Sequence, residues 1–398
     1  MEDKLSTTCQ LEFARRDFLK GLAGAGVAFA ALPSVGASAE TNTITGYGVT
    51  TAQLKDWSVM EKSTGLKMEF QTVAGNDIGA LIRDVISSNI GDKFDLVFFA
   101  GGSHNILGPR GYYAVLDEKR PELTLWERTP DVWKRSSAVV GPDGKQYGVP
   151  VTGNADSFGY FPDKIGASPD GQQDISWQML FENDRTRGRA AFGKTWNYSA
   201  PSTALYLKAA GKAKIDNPAD LSPEEAKVVV DFLVERKKAG QFKTLFNSFE
   251  EQVQLLNSRE IDIVNCWEPA VREANKKLGD GTVRYAYTVE GYTKWGQAAY
   301  ITTQATKRSN ISNIYKTLNY FLGGEYRAYQ AKERGYGGPN MDLAVQYAID
   351  KKWPEQDVAD LKENLAKIER KYKKPFVANY APSNADAIEQ EWQRFLSA

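Results

Sequence analysis

Along the first part of the chain, short apolar runs alternate with segments in which apolar residues recur every three or four positions. Thr43 to Tyr47, Lys67 to Val73 and Phe94 to Ala100 read as strands, and Thr51 to Ser63 and Asp77 to Ser88 as amphipathic helices between them. Strand and helix in alternation predict a parallel sheet covered by helices. A second set follows Tyr147-Gly148-Val149-Pro150: Arg189 to Phe192, Ile261 to Asn265, Arg284 to Val289 and Ala298 to Thr303 read as its strands or connections.

Two helix starts are unusually legible. Ser222-Pro223-Glu224-Glu225 supplies an N-cap, a proline at the first helical position and a capping-box Glu, and Gly240 closes that helix. Ser248-Phe249-Glu250-Glu251 repeats the box, and that helix yields to a strand through Asn257-Ser258-Arg259. The last third is mostly helical: Ser312 to Leu322 ends at Gly323-Gly324, Pro354 to Lys371 is long and charged, and Ser383 to Ser397 closes the chain. No internal repeat or low-complexity tract interrupts the pattern.

The apolar run Gly21 to Leu32 has a different character. Ala14-Arg15-Arg16-Asp17-Phe18-Leu19-Lys20 precedes it and Ala37-Ser38-Ala39 follows it. Twin arginine, a short apolar core and a small-x-small cleavage site predict a twin-arginine export signal over 1–39 and a periplasmic protein beginning at Glu40. The remaining length, about 360 residues, fits two domains.

Charge and cysteine usage narrow the function classes. The chain carries 50 basic and 50 acidic residues. The signal segment holds Lys4, Arg15, Arg16 and Lys20 against Glu2, Asp3, Glu12 and Asp17, so the mature part is equally neutral. Neither a nucleic acid nor an anionic membrane is implied as a partner. Cys9 leaves with the signal, and Cys266, alone beside Trp267, reads as buried packing. The single histidine, His104, has no second His or Cys for a zinc site or a triad.

Gly188-Arg189-Ala190-Ala191-Phe192-Gly193-Lys194-Thr195 matches the phosphate-loop pattern G-x-x-x-x-G-K-T. The pattern requires a strand before the first glycine and a helix opening at Lys-Thr. Here Glu182 to Arg187 is charged, the strand-like residues lie inside the motif, and Trp196 to Pro201 reads as a turn, so the match is taken as coincidence.

Aromatic residues placed beside glycines or at strand ends are the stronger signal. Tyr47, Trp196, Tyr198, Trp267, Trp295 and Tyr336 can wall a cleft that buries an apolar ligand and attracts cations, or can be ordinary packing. Phe99-Ala100-Gly101-Gly102-Ser103 ends a strand in a turn whose backbone N–H groups face the carboxyl end of the sheet, or is simply a tight connection.

An ordered series of segments then resembles a known family. Ser63-Thr64-Gly65-Leu66-Lys67, Phe94-Asp95-Leu96-Val97, Tyr147-Gly148-Val149-Pro150, Ser176-Trp177-Gln178-Met179-Leu180-Phe181, Leu255-Leu256-Asn257-Ser258-Arg259-Glu260-Ile261-Asp262, Glu290-Gly291 with Trp295, and Gly335-Tyr336-Gly337-Gly338-Pro339-Asn340 resemble the periplasmic spermidine/putrescine-type solute-binding proteins of ABC importers. The order of the series carries the resemblance, which runs from Thr43 to Asp350.

The resemblance implies an α/β, two-lobed periplasmic binding protein fold of type II. Each lobe is then a helix-covered, mainly parallel sheet, with crossing strands near Gly153, Gln297 and Asn340. Lobe 1 would comprise 40–152 and 298–340, and lobe 2 would comprise 153–297 and 341–398. It further implies a monomer without catalytic chemistry or cofactor that captures a small solute, polyamine-like or another amine or zwitterion, and delivers it to an ABC permease. The implied site holds Tyr47, Gly101, Gly102, Ser103, Thr195, Trp196, Asn197, Trp267, Trp295, Gln297 and Tyr336.

Departures from the pattern bear on the ligand. Polyamine binders of this type place acids in the second-lobe loop and two residues after the late tryptophan; this chain has Lys194-Thr195-Trp196-Asn197 and Gln297 there. A buried ammonium without a carboxylate is costly. Asp156, Glu268 and Glu290 are candidate substitutes, and a ligand with one cation, a zwitterion or an anion near Lys194 all remain open. The alternatives are a ferric carrier, for which Tyr112-Tyr113 is the one adjacent tyrosine pair, and a twin-arginine-exported enzyme, against which the missing nucleophile constellation stands.

Overall fold

Two long strands carry the chain through both halves of the molecule, and their hydrogen-bond partners change part-way along each. The computed structural model of the protein describes residues 41–73, 78–100, 102–378 and 382–398. The expected signal segment and Gly101 lie outside the described residues.

The strands in chain order are β1 (Thr43–Gly48), β2 (Lys67–Thr72), β3 (Leu96–Ala100), β4 (Gly148–Tyr160), β5 (Asp174–Ile175), β6 (Ala190–Gly193), β7 (Phe242–Phe246), β8 (Ile263–Cys266), β9 (Arg284–Tyr285), β10 (Tyr287–Thr288), β11 (Tyr292–Ile301) and β12 (Phe376–Ala378). One sheet runs β2-β1-β3-β11-β4-β8-β6-β7, with β12 added to β11 and β9 to β4. β1 pairs parallel with β2 and β3, and β6 parallel with β7 and β8. Within this sheet, antiparallel pairing involves only the crossing strands β4 and β11, and β11 pairs parallel with β12. β4 pairs with β11 from Gly148 to Asp156 and with β8 from Ser157 to Tyr160, while β11 pairs with β3 over Gln297–Ile301 and with β12 over Tyr292–Lys294. An isolated antiparallel bridge also joins Gly153 to Gly337.

The longer helices are α1 (Ser58–Thr64), α2 (Ile78–Ser87), α3 (Ser103–Leu107), α4 (Trp196–Ala209), α5 (Pro223–Lys238), α6 (Phe249–Ser258), α7 (Glu268–Leu278), α8 (Ile311–Leu322), α9 (Gly324–Arg334), α10 (Met341–Asp350), α11 (Glu355–Tyr372) and α12 (Ala385–Ser397). They cover both faces of each half of the sheet. In the first half, Leu96, Phe98, Ala299 and Ile301 pack with Leu318, Phe321 and Tyr326, while Val97, Phe99, Ala298 and Tyr300 pack with Leu81 and Val85. In the second, Phe158, Phe192 and Ile263 join Ala204, Val229 and Trp392, while Ala191, Val264 and Cys266 join Leu256 and Ala270. Successive side chains of a strand point to opposite faces, so a strand buried on both sides is apolar throughout.

Helix ends follow the chemistry. Ser222 Oγ accepts the Glu225 N–H and Glu225 returns a carboxylate to the Ser222 N–H, completing the capping box; Ser248 accepts from Glu251, whose carboxylate goes instead to the Asn247 N–H.

Several expectations are corrected. The helix expected over Thr51 to Ser63 is divided: a 3-10 turn covers Thr50–Ala52, and the helix begins at Ser58, whose N–H goes to the Asp56 carboxylate at 2.8 Å. The single strand expected over Arg284 to Val289 divides into β9 and β10: the Ala286 N–H turns to Phe158 O, and the chain changes partner from β4 to β5. Trp196 to Pro201 is the start of α4, not a turn. Pro201 gives up one intrahelical bond, and the buried Ala200, Ala204, Tyr206 and Leu207 hold the helix to the second core. The expected lobe boundary at residue 341 does not follow the packing: α10 and α11 lie on α9 through Ala328, Ala331, Met341, Ala344 and Leu361, and only α12 joins the second core.

Candidate functional site

Where β4 and β11 cross between the two cores, direct pairing places Asp156 opposite Thr293, Asn154 opposite Trp295 and Thr152 opposite Gln297, all on one face. Asp156 is buried, and its hydrogen-bond partner is the Asn154 amide at 3.3 Å. Burial raises its carboxyl pKa to about 7; Lys371 opposes the rise and Glu268 adds to it. The Trp295 indole N–H is turned toward the carboxylate without reaching hydrogen-bond geometry, and it has no other partner.

Aromatic side chains close around this acid. Trp295 and Tyr336 meet edge to face with ring centroids 5.1 Å apart, and Tyr198 lies against Trp267 at 5.5 Å. Burial and the charge of Asp156 push the hydroxyls of Tyr198, Tyr285, Tyr336 and Tyr372 up from their ordinary range, which places all four around the same carboxylate. The hydroxyls of Tyr198 and Tyr372, the Asn154 carbonyl, Gln297 Oε1 and Ser103 Oγ are buried without a hydrogen-bond partner. Buried polar groups in native proteins are nearly always satisfied, so these atoms are open to a further hydrogen-bond partner. A cavity of about 350 Å³ is bounded by Trp133, Lys294, Trp295, Gln297 and Phe376, which is room for a small organic molecule.

The second acid is already engaged. Glu268, at the start of α7, accepts Lys367 at 2.8 Å, Lys371 at 3.0 Å and the Asn154 amide at 3.1 Å. Burial opposes its ionisation, but the two lysines outweigh it and hold the carboxyl down at about 2. Glu290 is spent elsewhere, on the Ser176 hydroxyl and the Trp177 N–H.

Other expected positions separate into those near the crossing and those away from it. Gln297 pairs in register with Ala100, so Gly102 and Ser103, both buried at the end of β3, come from the first core toward the same crossing. Thr195 is exposed at the head of α4, Asn197 is half-buried, and Trp196 leans on the second core. Tyr47 is turned away into the first core, where its hydroxyl donates to Asp84 at 3.0 Å and its ring packs on Phe94 and Phe99. Asn154, Lys367 and Lys371 escaped notice, though Lys367 and Lys371, four apart on one helix face, were a readable hint of a shared partner.

Residues considered for chemistry prove structural. His104 is buried between Val140 O at 3.1 Å and Tyr300 Oη at 3.2 Å, and burial lowers its pKa to about 4. Burial raises the Cys266 thiol pKa well above its ordinary range, away from nucleophilic form. Tyr113 stacks on Tyr300 at 4.7 Å inside the first core. The phosphate-loop match has its strand inside the motif, at β6, so no glycine loop precedes α4 to cradle a phosphate.

A family model described as bacterial extracellular solute-binding protein matches residues 59–373, most of the chain. The chain belongs to that family. Comparison with curated proteins finds no match. Among solved structures, the spermidine/putrescine ABC transporter substrate-binding protein from Streptococcus pneumoniae superposes with a TM-score of 0.66 at 14% identity, covering 89% of this chain and 98% of that one. A putative spermidine/putrescine ABC transporter from Listeria monocytogenes gives 0.62 at 17%, covering 89% and 99%. A periplasmic binding protein of Agrobacterium tumefaciens in complex with glucopine gives 0.58 at 14%, covering 89% and 99%. The binding protein thus has the two-lobed fold expected of it, and the paired strands β4 and β11 are its crossing.

Proposed function

We propose that this solute-binding protein is the substrate-binding component of an ABC importer, exported to the periplasm by the twin-arginine route, and that it carries a small amine-bearing solute between its lobes. The lobes are drawn as 41–152 with 298–372, and 153–297 with 382–398, which keeps α10 and α11 with the core they pack on.

The observation that carries the amine is Asp156. A carboxylate pressed toward neutrality by burial, bonded to one amide and to no cation, is stabilised when an ammonium meets it. Lys371 is close, but its hydrogen bonds go to Glu268 and to Ala155 O. The faces of Trp295, Tyr336, Tyr198 and Trp267 favour the same cation and bury its apolar body. Neighbours of this fold include proteins titled for spermidine/putrescine and one complexed with glucopine, so the fold alone leaves the solute open, and the residues at the crossing are what support an amine.

A thermal-shift panel of monoamines, polyamines, sugars and organic anions tests the reading. A ligand that binds only the native state stabilises it by about 2.7 kcal/mol at a hundredfold excess over Kd. A shift with amines that Asp156→Asn abolishes supports it, and a shift with sugars or anions alone overturns it.

A further inference from the structure

We infer that the site admits a ligand with one ammonium group and discriminates against a second, so that its substrates are monocationic amines and not diamines or polyamines. The inference rests on the proposed amine site and goes on to count the charges available there.

A dication needs two uncommitted carboxylates. Among the described residues, the acids whose charge acts on the ring of tyrosines at the site are Asp156 and Glu268. Both Glu268 oxygens are taken, Oε1 by Lys367 and Oε2 by Lys371 and Asn154, and Lys367 and Lys371 are themselves largely buried. An ammonium approaching Glu268 would have to displace a lysine already paired in low dielectric. Asp156 has only the Asn154 amide.

The opposite face of the crossing also carries a cation. Lys294 borders the cavity with its ammonium donating to Val132 O at 2.6 Å and lying 4.7 Å from the ring centres of both Tyr372 and Phe376. Among the described residues, no carboxylate pairs with it. Arg272 and Arg334 also act on Tyr336. A ligand anchored by its ammonium at Asp156 thus meets one uncommitted carboxylate, and the lysines that hold Glu268 repel a second ammonium.

The experiment pairs n-pentylamine with putrescine, which share a chain length and differ by a methyl in place of the second ammonium, in calorimetric titrations of the wild type, Asp156→Asn and Lys367→Gln. The expected result is pentylamine tighter than putrescine by about tenfold or more in the wild type. Binding of both should be lost in Asp156→Asn. Putrescine should gain at least about tenfold in Lys367→Gln, which frees Glu268 Oε1, while pentylamine affinity holds and so reports an intact site. Putrescine tighter than pentylamine in the wild type, with both lost in Asp156→Asn, overturns the single-charge inference and leaves the amine site standing. Binding of neither amine overturns the amine reading and this inference with it.

Discussion

Lys371 lies at the end of α11, and its ammonium donates to Glu268 Oε2 at 3.0 Å, joining a helix packed on the first core to the first turn of a helix in the second. Lys367, one helical turn earlier, takes the other carboxylate oxygen. Glu268→Gln leaves both lysines without their anion. Removing one member of a buried pair costs roughly 3–5 kcal/mol. We expect a fall of that order in urea-denaturation stability, and a variant as stable as the wild type would show that the lysines find other partners.

Asp156→Asn should move stability the other way. Its carboxyl is buried with one amide bond, so the amide side chain removes a desolvation cost and breaks no ion pair. Stability equal to or above the wild type, with amine affinity lower by about tenfold or more, is the expected pair of outcomes. A variant that unfolds would place Asp156 among the residues that hold the crossing together.

The same residue sets a pH dependence. The folded carboxyl keeps its proton to about pH 7, chiefly through burial, whereas an unfolded aspartate releases it near 3.8. The folded state thus holds an extra proton in that window. Its contribution to stability is full below the unfolded pKa and is lost as pH rises through 7. His104 acts oppositely, since its folded pKa of about 4 makes the native state lose stability as pH falls below 6.5. A fixed cation binds the ionised carboxylate, so amine affinity should climb between pH 6 and 8 and level off above. Titrations at a series of pH values check this, and a flat profile in the wild type contradicts it.

How much of this was readable in the chain depended on the range of the contact involved. Leu96 to Phe99 fixed a strand buried on both faces from its own residues, and Ser222 with Glu225 announced a helix start within four positions. Trp196 to Pro201 misled because a proline argues locally against a helix, while the packing of Ala200 and Tyr206 on the second core decides it. At the site, Trp267, Trp295 and Tyr336 were legible as aromatics beside glycines or strand ends. The state of the acids was not, because Glu268 is satisfied by lysines far along the chain and Asp156 acquires its character from burial and from the distant Lys371 and Glu268.

Cys266 offers a direct check on the second core. Its thiol is fully buried and held in the protonated form, so a maleimide should label the native protein slowly and the urea-unfolded protein at once. Rapid native labelling would mean that β8 opens readily beside Trp267.

Gln297→Asp tests the charge count from the opposite direction. Gln297 Oε1 is buried without a partner, and the residue stands opposite Thr152 on the face that also carries Trp295 and Asp156. An aspartate here adds a second uncommitted acid to a site that has one, and without ligand it is another poorly solvated carboxyl, costing roughly 1–3 kcal/mol. A diamine supplies the missing countercharge. We therefore expect the variant to melt below the wild type, to gain at least about tenfold in putrescine affinity and to recover its melting temperature when putrescine is added. n-Pentylamine should show no comparable gain, because it has no second ammonium to place. Equal gains for both amines would mean that position 297 adds general negative potential and does not form a second anchor.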